Sequence, residues 1–140
     1  MVQTGKRFES RMKSWIKDSG ALCYKWPDHA STGTMQKALC DLIALTRNRS
    51  YFFECKHTNS KTSFSLQLIK DHQWVMLLEA YQHCSYVYFA IEDGNKNVYI
   101  INPWQLKKLT KGQKSIKFDD LFMVRFTKKD FCQWLRGEYV

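Results

Sequence analysis

The feature that most constrains the fold is the stretch CDLIALTRNRSYFFECK, from Cys40 to Lys56. Two β-branched and aromatic runs, CDLIALT and SYFFECK, flank the polar Arg47-Asn48-Arg49, and the pattern reads as a hairpin. Side chains alternate across a strand. Tyr51, Phe53 and Cys55 therefore take one face of the second run, while Phe52, Glu54 and Lys56 take the other. In the first run Asp41 shares a face with Ile43 and Leu45. With Asn48-Arg49 as a two-residue loop, Asp41 lies opposite Lys56 and Ile43 opposite Glu54, so all three charges converge. A one-residue slip sets Asp41 opposite Cys55, on the wrong face. The register of this hairpin decides whether a site exists.

Two readings of the three charges fit. In one, Lys56 neutralises Asp41 or Glu54 in an ion pair at a sheet edge. In the other, two carboxylates close together in a partly apolar setting repel each other unless a divalent cation lies between them, and hard oxygen donors suit Mg²⁺, with Mn²⁺ able to substitute. A lysine beside them then completes what phosphodiester hydrolysis requires: an activated water, a polarised phosphoryl oxygen and charge compensation. Gln73 interrupts an apolar stripe between Ile69 and Met76, so its amide needs polar partners, either at such a site or in solvent at a helix start. Glu9, beside Phe8, points either into the site as a further carboxylate or to the wet face of its helix.

Around the hairpin the chain alternates helical and extended patterns. Phe8, Met12, Trp15 and Ile16 recur at helical spacing before Gly20, ALCYKW reads as a strand, and PDHASTGTMQK as a surface loop. KHTNSKTSF is a basic loop, and LQLIKDHQWVMLLEAYQ predicts the longest helix, over residues 66–82. SYVYFAIED and NVYII are strands about an Asp93-Gly94-Asn95 turn, and Asn102-Pro103 opens a helix. A lysine-rich tail follows, with a short strand MVRF and a helix over about 128–136. This order predicts an α/β fold in one domain, residues 1–140, with a mixed central sheet flanked by helices.

Lys and Arg exceed Asp and Glu by 22 to 13, a net charge of +9, and nucleic acid is the leading partner for such a surface. Five cysteines without a C-x-x-C pair give neither a disulfide framework nor a zinc knuckle. No apolar run is long enough to span a membrane. The polar start MVQTGKRFES has no signal-peptide core, so a cytoplasmic location is expected.

Asp41 followed by Glu54-Cys55-Lys56 at the ends of two strands resembles the PD-(D/E)xK nuclease superfamily, with Cys40 in place of the usual Pro. Lys61-Thr62-Ser63-Phe64 and His72-Gln73 resemble the marks of RecU-type Holliday junction resolvases, and Gly5-Lys6-Arg7-Phe8-Glu9 is similar to the G-x-x-x-E start of the archaeal Hjc resolvases. Pro27-Asp28 spells the PD of the motif, but no apolar strand follows it. The resemblance covers roughly residues 5–90 and implies a restriction-endonuclease-like fold and a metal-dependent homodimer that nicks four-way DNA junctions symmetrically. It implies Asp41 and Glu54 as metal ligands, with Glu9 as a further one, Lys56 as the residue that orients water or stabilises charge, and Gln73 as a support. Lys6, Arg7, Ser31, Thr32, His57, Lys61, Thr62, Ser63 and His72 are expected to contact DNA. The long stalk insertion of RecU proteins is missing before Cys40. Two other readings stand beside this one: a different PD-(D/E)xK endonuclease of restriction or repair type, and a non-catalytic basic DNA-binding module.

Overall fold

The computed structural model describes residues 4–27 and 38–138. A first helix, α1 (Thr4–Asp18), buries Phe8, Met12, Trp15 and Ile16, the stripe that the spacing predicts. Gly20, at φ +94°, ends it in the left-handed region that favours glycine. Strands β1 (Leu22–Lys25), β2 (Leu42–Leu45) and β3 (Ser50–His57) form an antiparallel meander. After a three-residue strand β4 (Ser63–Ser65), helix α2 (Asp71–His83) crosses over to β5 (Val87–Glu92), which pairs parallel with β3. β6 (Val98–Ile101), helix α3 (Pro103–Thr110), β7 (Ser115–Lys117), β8 (Arg125–Phe126) and helix α4 (Lys128–Leu135) complete the chain.

The main sheet runs β1-β2-β3-β5-β6-β8, with only the β3/β5 pair parallel. β4 and β7 form a separate two-stranded ribbon. One face of the sheet packs Leu42, Phe53 and Ile100 against α1 and the Phe131 and Leu135 side of α4. The other packs Phe89, Ile91 and Ile101 against Leu77 of α2 and Leu106 of α3. This is the mixed sheet flanked by helices that the order of elements predicts. Each fully buried Leu, Ile or Phe contributes roughly 1.5–3 kcal/mol, so two such cores hold the central strands β3, β5 and β6 between them.

Two elements depart from expectation. The helix read over 66–82 begins at Asp71: Leu66–Leu68 is a single 3-10 turn and Lys70 is extended, because Leu66 and Ile69 pack into the core from a connection rather than from a helical stripe. The ribbon strands β4 and β7 fall where the sequence pattern predicts a loop and a lysine-rich tail. At the Asp93-Gly94-Asn95 turn, a Cβ on Gly94 would overlap the Asn59 carbonyl, and the Gly94 N–H donates to Ser60 O at 2.8 Å. The β5–β6 turn thus pins the connection that follows β3.

Candidate active site

The hairpin register settles the question of the charges. Leu42 pairs with Phe53 and Leu45 with Ser50, and the Thr46 N–H donates to Arg49 O at 2.9 Å. The two-residue loop is therefore Arg47-Asn48, not Asn48-Arg49. Moving the loop by one residue moves the register by two, which preserves the facing of every side chain. Asp41, the residue just before β2, comes opposite Glu54 rather than Lys56. Its N–H donates to Phe53 O at 3.0 Å, and its Oδ2 accepts from the Cys55 N–H at 2.8 Å, so the side chain carries the ladder one step past the end of β2.

Asp41, Glu54 and Lys56 share the sheet face that α2 covers. Glu54 is 6% exposed. Its Oε2 lies 3.5 Å from Lys56 Nζ and accepts from Gln73 Nε2 at 3.0 Å. Gln73 sits in the first turn of α2, where its Oε1 accepts from the Lys70 N–H at 3.0 Å and from Lys56 Nζ at 2.8 Å. These bonds fix the orientation of its amide: oxygen toward the lysine, nitrogen toward the carboxylate. Both environments weighed for Gln73 are realised at once, since it opens the helix and reaches into the charged cluster.

Burial, and then the charge of Asp41, push the Glu54 carboxyl up to about 8, against the opposing pull of Lys56. Burial also raises the Asp41 carboxyl, with the charge of Glu9 adding to the shift and the Cys55 N–H and Lys56 opposing it. The two carboxyl groups raise each other's affinity for a proton, and a cation between them would relieve the same repulsion. Cys40 and Cys55 flank the pair, and burial raises both thiols, so they stay neutral and add no further charge.

Glu9 is half-buried on α1, with Oε1 3.2 Å from Lys25 Nζ. Its charge is felt at Asp41. Among the described residues no group of three or more His, Cys, Asp and Glu side chains is arranged to hold a metal, so the Asp41–Glu54 pair stands as a two-carboxylate arrangement. That donor set fits Mg²⁺, which binds through one or two carboxylates and keeps several waters.

The expected DNA contacts are spread more widely. Lys6 and Arg7 are exposed on the first turns of α1, and Lys61 and Thr62 are exposed before β4, with Ser63 beginning that strand. His72 is half-buried in the first turn of α2. Ser31 and Thr32, like Asp28, lie outside the described residues. His57 is the last residue of β3, on the opposite sheet face: its Nδ1 lies 2.6 Å from Glu92 Oε1 and its Nε2 3.0 Å from Asn59 Oδ1. Arg11 Nη1 holds the other Glu92 oxygen at 2.6 Å. The sequence reading missed this Arg11–Glu92–His57 chain. The one available signal was a Glu ending an otherwise apolar strand, SYVYFAIED.

The family model described as RecU, recombination protein U, matches residues 27–133, most of the chain. The chain belongs to the RecU family. Its fold is similar to that of Hjc from Archaeoglobus fulgidus, described as a Holliday junction resolvase from an archaeal hyperthermophile, with a TM-score of 0.63, 12% identity and coverage of 99% of each chain. No curated protein matches it. In this RecU-family chain the half-buried aromatics Trp74, Tyr86 and Tyr88 pack within the chain: Trp74 against Phe89, and Tyr86 and Tyr88 within the Tyr51–Trp134 cluster. No helix among the described residues is long and apolar enough to cross a membrane.

Proposed function

We propose that the protein is a structure-selective DNA endonuclease that resolves Holliday junctions by metal-dependent phosphodiester hydrolysis, acting as a homodimer. The observation that carries this reading is the placement of Asp41 opposite Glu54, with Lys56 on the same face and Gln73 bridging Lys56 to Glu54. An ion pair serving only stability needs one carboxylate per lysine. Here two carboxyl groups compete for one cationic partner in a desolvated setting, an arrangement that costs stability and so supports a functional role. Membership of the RecU family and the likeness to a junction resolvase support the same substrate class.

Asp41 and Glu54 are the residues that would hold Mg²⁺ or Mn²⁺, with Glu9 as an outer carboxylate. An ion held there would supply a water of lowered pKa and a polarised phosphoryl oxygen. Lys56, steadied by Gln73 Oε1, places its ammonium on the same face, where it orients the attacking water and offsets charge developing on the phosphate. Gln73 limits the motion of both Lys56 and Glu54. Lys6, Arg7, Lys61, Thr62, Ser63 and His72 grip phosphates around this centre, with Ser31 and Thr32 on the segment between β1 and β2. A two-fold dimer matches the two-fold symmetry of a four-way junction and cuts two strands symmetrically.

Cleavage of a synthetic four-way junction in Mg²⁺, compared with a flap and a linear duplex of the same sequence, tests this function. The wild type is expected to nick the junction preferentially, and Asp41→Asn to bind it without cutting. Equal cutting of linear duplex would point to another kind of endonuclease, and binding without cleavage in Mg²⁺ or Mn²⁺ to a non-catalytic module. Cleavage by Asp41→Asn at the wild-type rate would overturn the site.

A further inference from the structure

The β4–β7 ribbon lies outside the main sheet and carries residues that the acidic site does not use. Ser63 pairs with Lys117, Phe64 with Ile116 and Ser65 with Ser115. Phe64 and Ile116 turn inward onto the core shared with α2 and α3. Alternation therefore puts Ser63, Ser65, Ser115 and Lys117 on the outer face, three hydroxyls and an ammonium with no carboxylate among them. Lys61 and Lys114 stand exposed at its ends.

Beside the ribbon is a groove of about 480 Å³. Leu66, Ile69 and Trp74 supply its apolar surface, with Lys70 and Lys114 as basic groups and Asp71 as its one acid. The ribbon and the groove are joined directly, since the Leu66 N–H donates to Lys114 O at 2.9 Å. The groove also reaches the acidic site: the Lys70 N–H bonds Gln73 Oε1, and Gln73 holds Lys56 and Glu54.

We propose that the ribbon and this groove form a phosphate-binding track for the DNA arm that leaves the Asp41–Glu54 site, with Lys70, Lys114 and Lys117 contacting successive backbone phosphates. The inference deepens the proposed function and rests on it. What separates this surface from an ordinary solvated one is the alignment of serine hydroxyls with Lys117 in one register, beside a groove with an apolar floor between Lys70 and Lys114. Among the described residues no ion pair neutralises Lys61, Lys70, Lys114 or Lys117. Lysines with hydroxyls in register are the usual equipment for holding phosphates without reading sequence, and an apolar floor between two of them accepts the sugar and base of the strand.

The test measures binding of a synthetic four-way junction across a salt series, in the Asp41→Asn background and without divalent ions, so that cleavage plays no part. Lys114→Ala/Lys117→Ala is expected to weaken binding and to make the slope of log K against log salt shallower by about 2, one for each phosphate released. Lys17→Ala/Lys129→Ala removes the same charge from the α1 and α4 side of the sheet and is expected to leave the slope within about half a unit of the parent. Lys114→Arg/Lys117→Arg should restore the parent slope. Equal slopes for the ribbon variant and its parent, or an equal loss in the control pair, would overturn the track. A wild type that binds the junction but never cuts it would overturn the proposed function and leave the salt slopes interpretable as phosphate binding.

Discussion

Lys56 and His57 are neighbours in the chain, yet β3 sends them to opposite faces of the sheet and into opposite electrostatic situations. On the α2 face, Asp41 and Glu54 divide one lysine and one amide between them, and burial pushes both carboxyls up. On the α1 face, Glu92, 7% exposed, has one oxygen held by Arg11 and the other beside His57, each at 2.6 Å, with Asn59 backing the imidazole at 3.0 Å. The first cluster has too little positive charge for its acids. The second has a partner for every oxygen. An under-neutralised buried cluster costs stability that a fully partnered one does not. Both are clusters of buried charge at the same end of one strand, and the count of partners sets the proposed site apart from the brace.

The widest separation between the two faces should appear when each loses one cation. Lys56→Ala is expected to lower junction cleavage in Mg²⁺ by roughly 10²–10³-fold or more, with junction binding close to wild type. Arg11→Ala leaves Glu92 buried with half its partners and should cost about 3 kcal/mol in urea unfolding, while the molecules that remain folded still cut. Single-turnover cleavage and denaturation curves on the same two preparations check both halves. An Arg11→Ala protein that is fully stable but inactive would erase the distinction.

The pH response separates the faces next. The native Glu54 carboxyl sits at about 8 against an ordinary value of 4.5, so between those limits the folded protein keeps a proton that the unfolded chain has lost. Stability without divalent ions is then full below about pH 4.5 and falls as pH rises toward 8. Glu54→Gln should flatten that fall. Added Mg²⁺ competes with the Glu54 proton, so its stabilising effect should grow over the same window and vanish in the variant. Thermal melts at several pH values, with and without Mg²⁺, measure this. A wild-type melting curve that ignores both pH and Mg²⁺ between 5 and 8 would remove the case for an under-neutralised pair.

What the sequence made legible follows from what periodicity encodes. Alternation assigned Asp41, Glu54 and Lys56 to one face because a strand has period two, and that assignment survived a register shift of two residues. Which two of Arg47, Asn48 and Arg49 form the loop is not carried by alternation, so the partner of Asp41 was misread while its face was right. The start of α2 was placed too early because Leu66 and Ile69 sit at helical spacing, although they are buried from a 3-10 turn and an extended residue. The ribbon was invisible for a different reason: its strands are three residues long and pair Ser63–Ser65 with the remote Ser115–Lys117. Only the short alternations S-F-S and S-I-K hinted at it. His57 read as part of a basic loop, but β3 runs on to include it, and its partner Glu92 comes from a strand that local pattern cannot connect to it.

The smallest effect tests the amide that keeps the α2 face in order. Gln73 touches no proposed metal position in its own right. It holds Lys56 through Oε1 and Glu54 through Nε2, and its Oε1 also accepts from the first free N–H before α2. Gln73→Ala therefore removes a positioning contact and a helix-start contact together, whereas Gln73→Glu keeps the oxygen for Lys56 and the Lys70 N–H but sets a third carboxylate against Glu54. The alanine variant should lose about tenfold in single-turnover rate with little change in junction affinity. The glutamate variant should fold less stably at pH 8 than at pH 6 without divalent ions, and should recover when Mg²⁺ is added. A merely structural role for Gln73 predicts that both variants lose stability alike at either pH. The contrast between them thus reads directly whether the α2 face, unlike the Arg11–Glu92–His57 face, is short of positive charge.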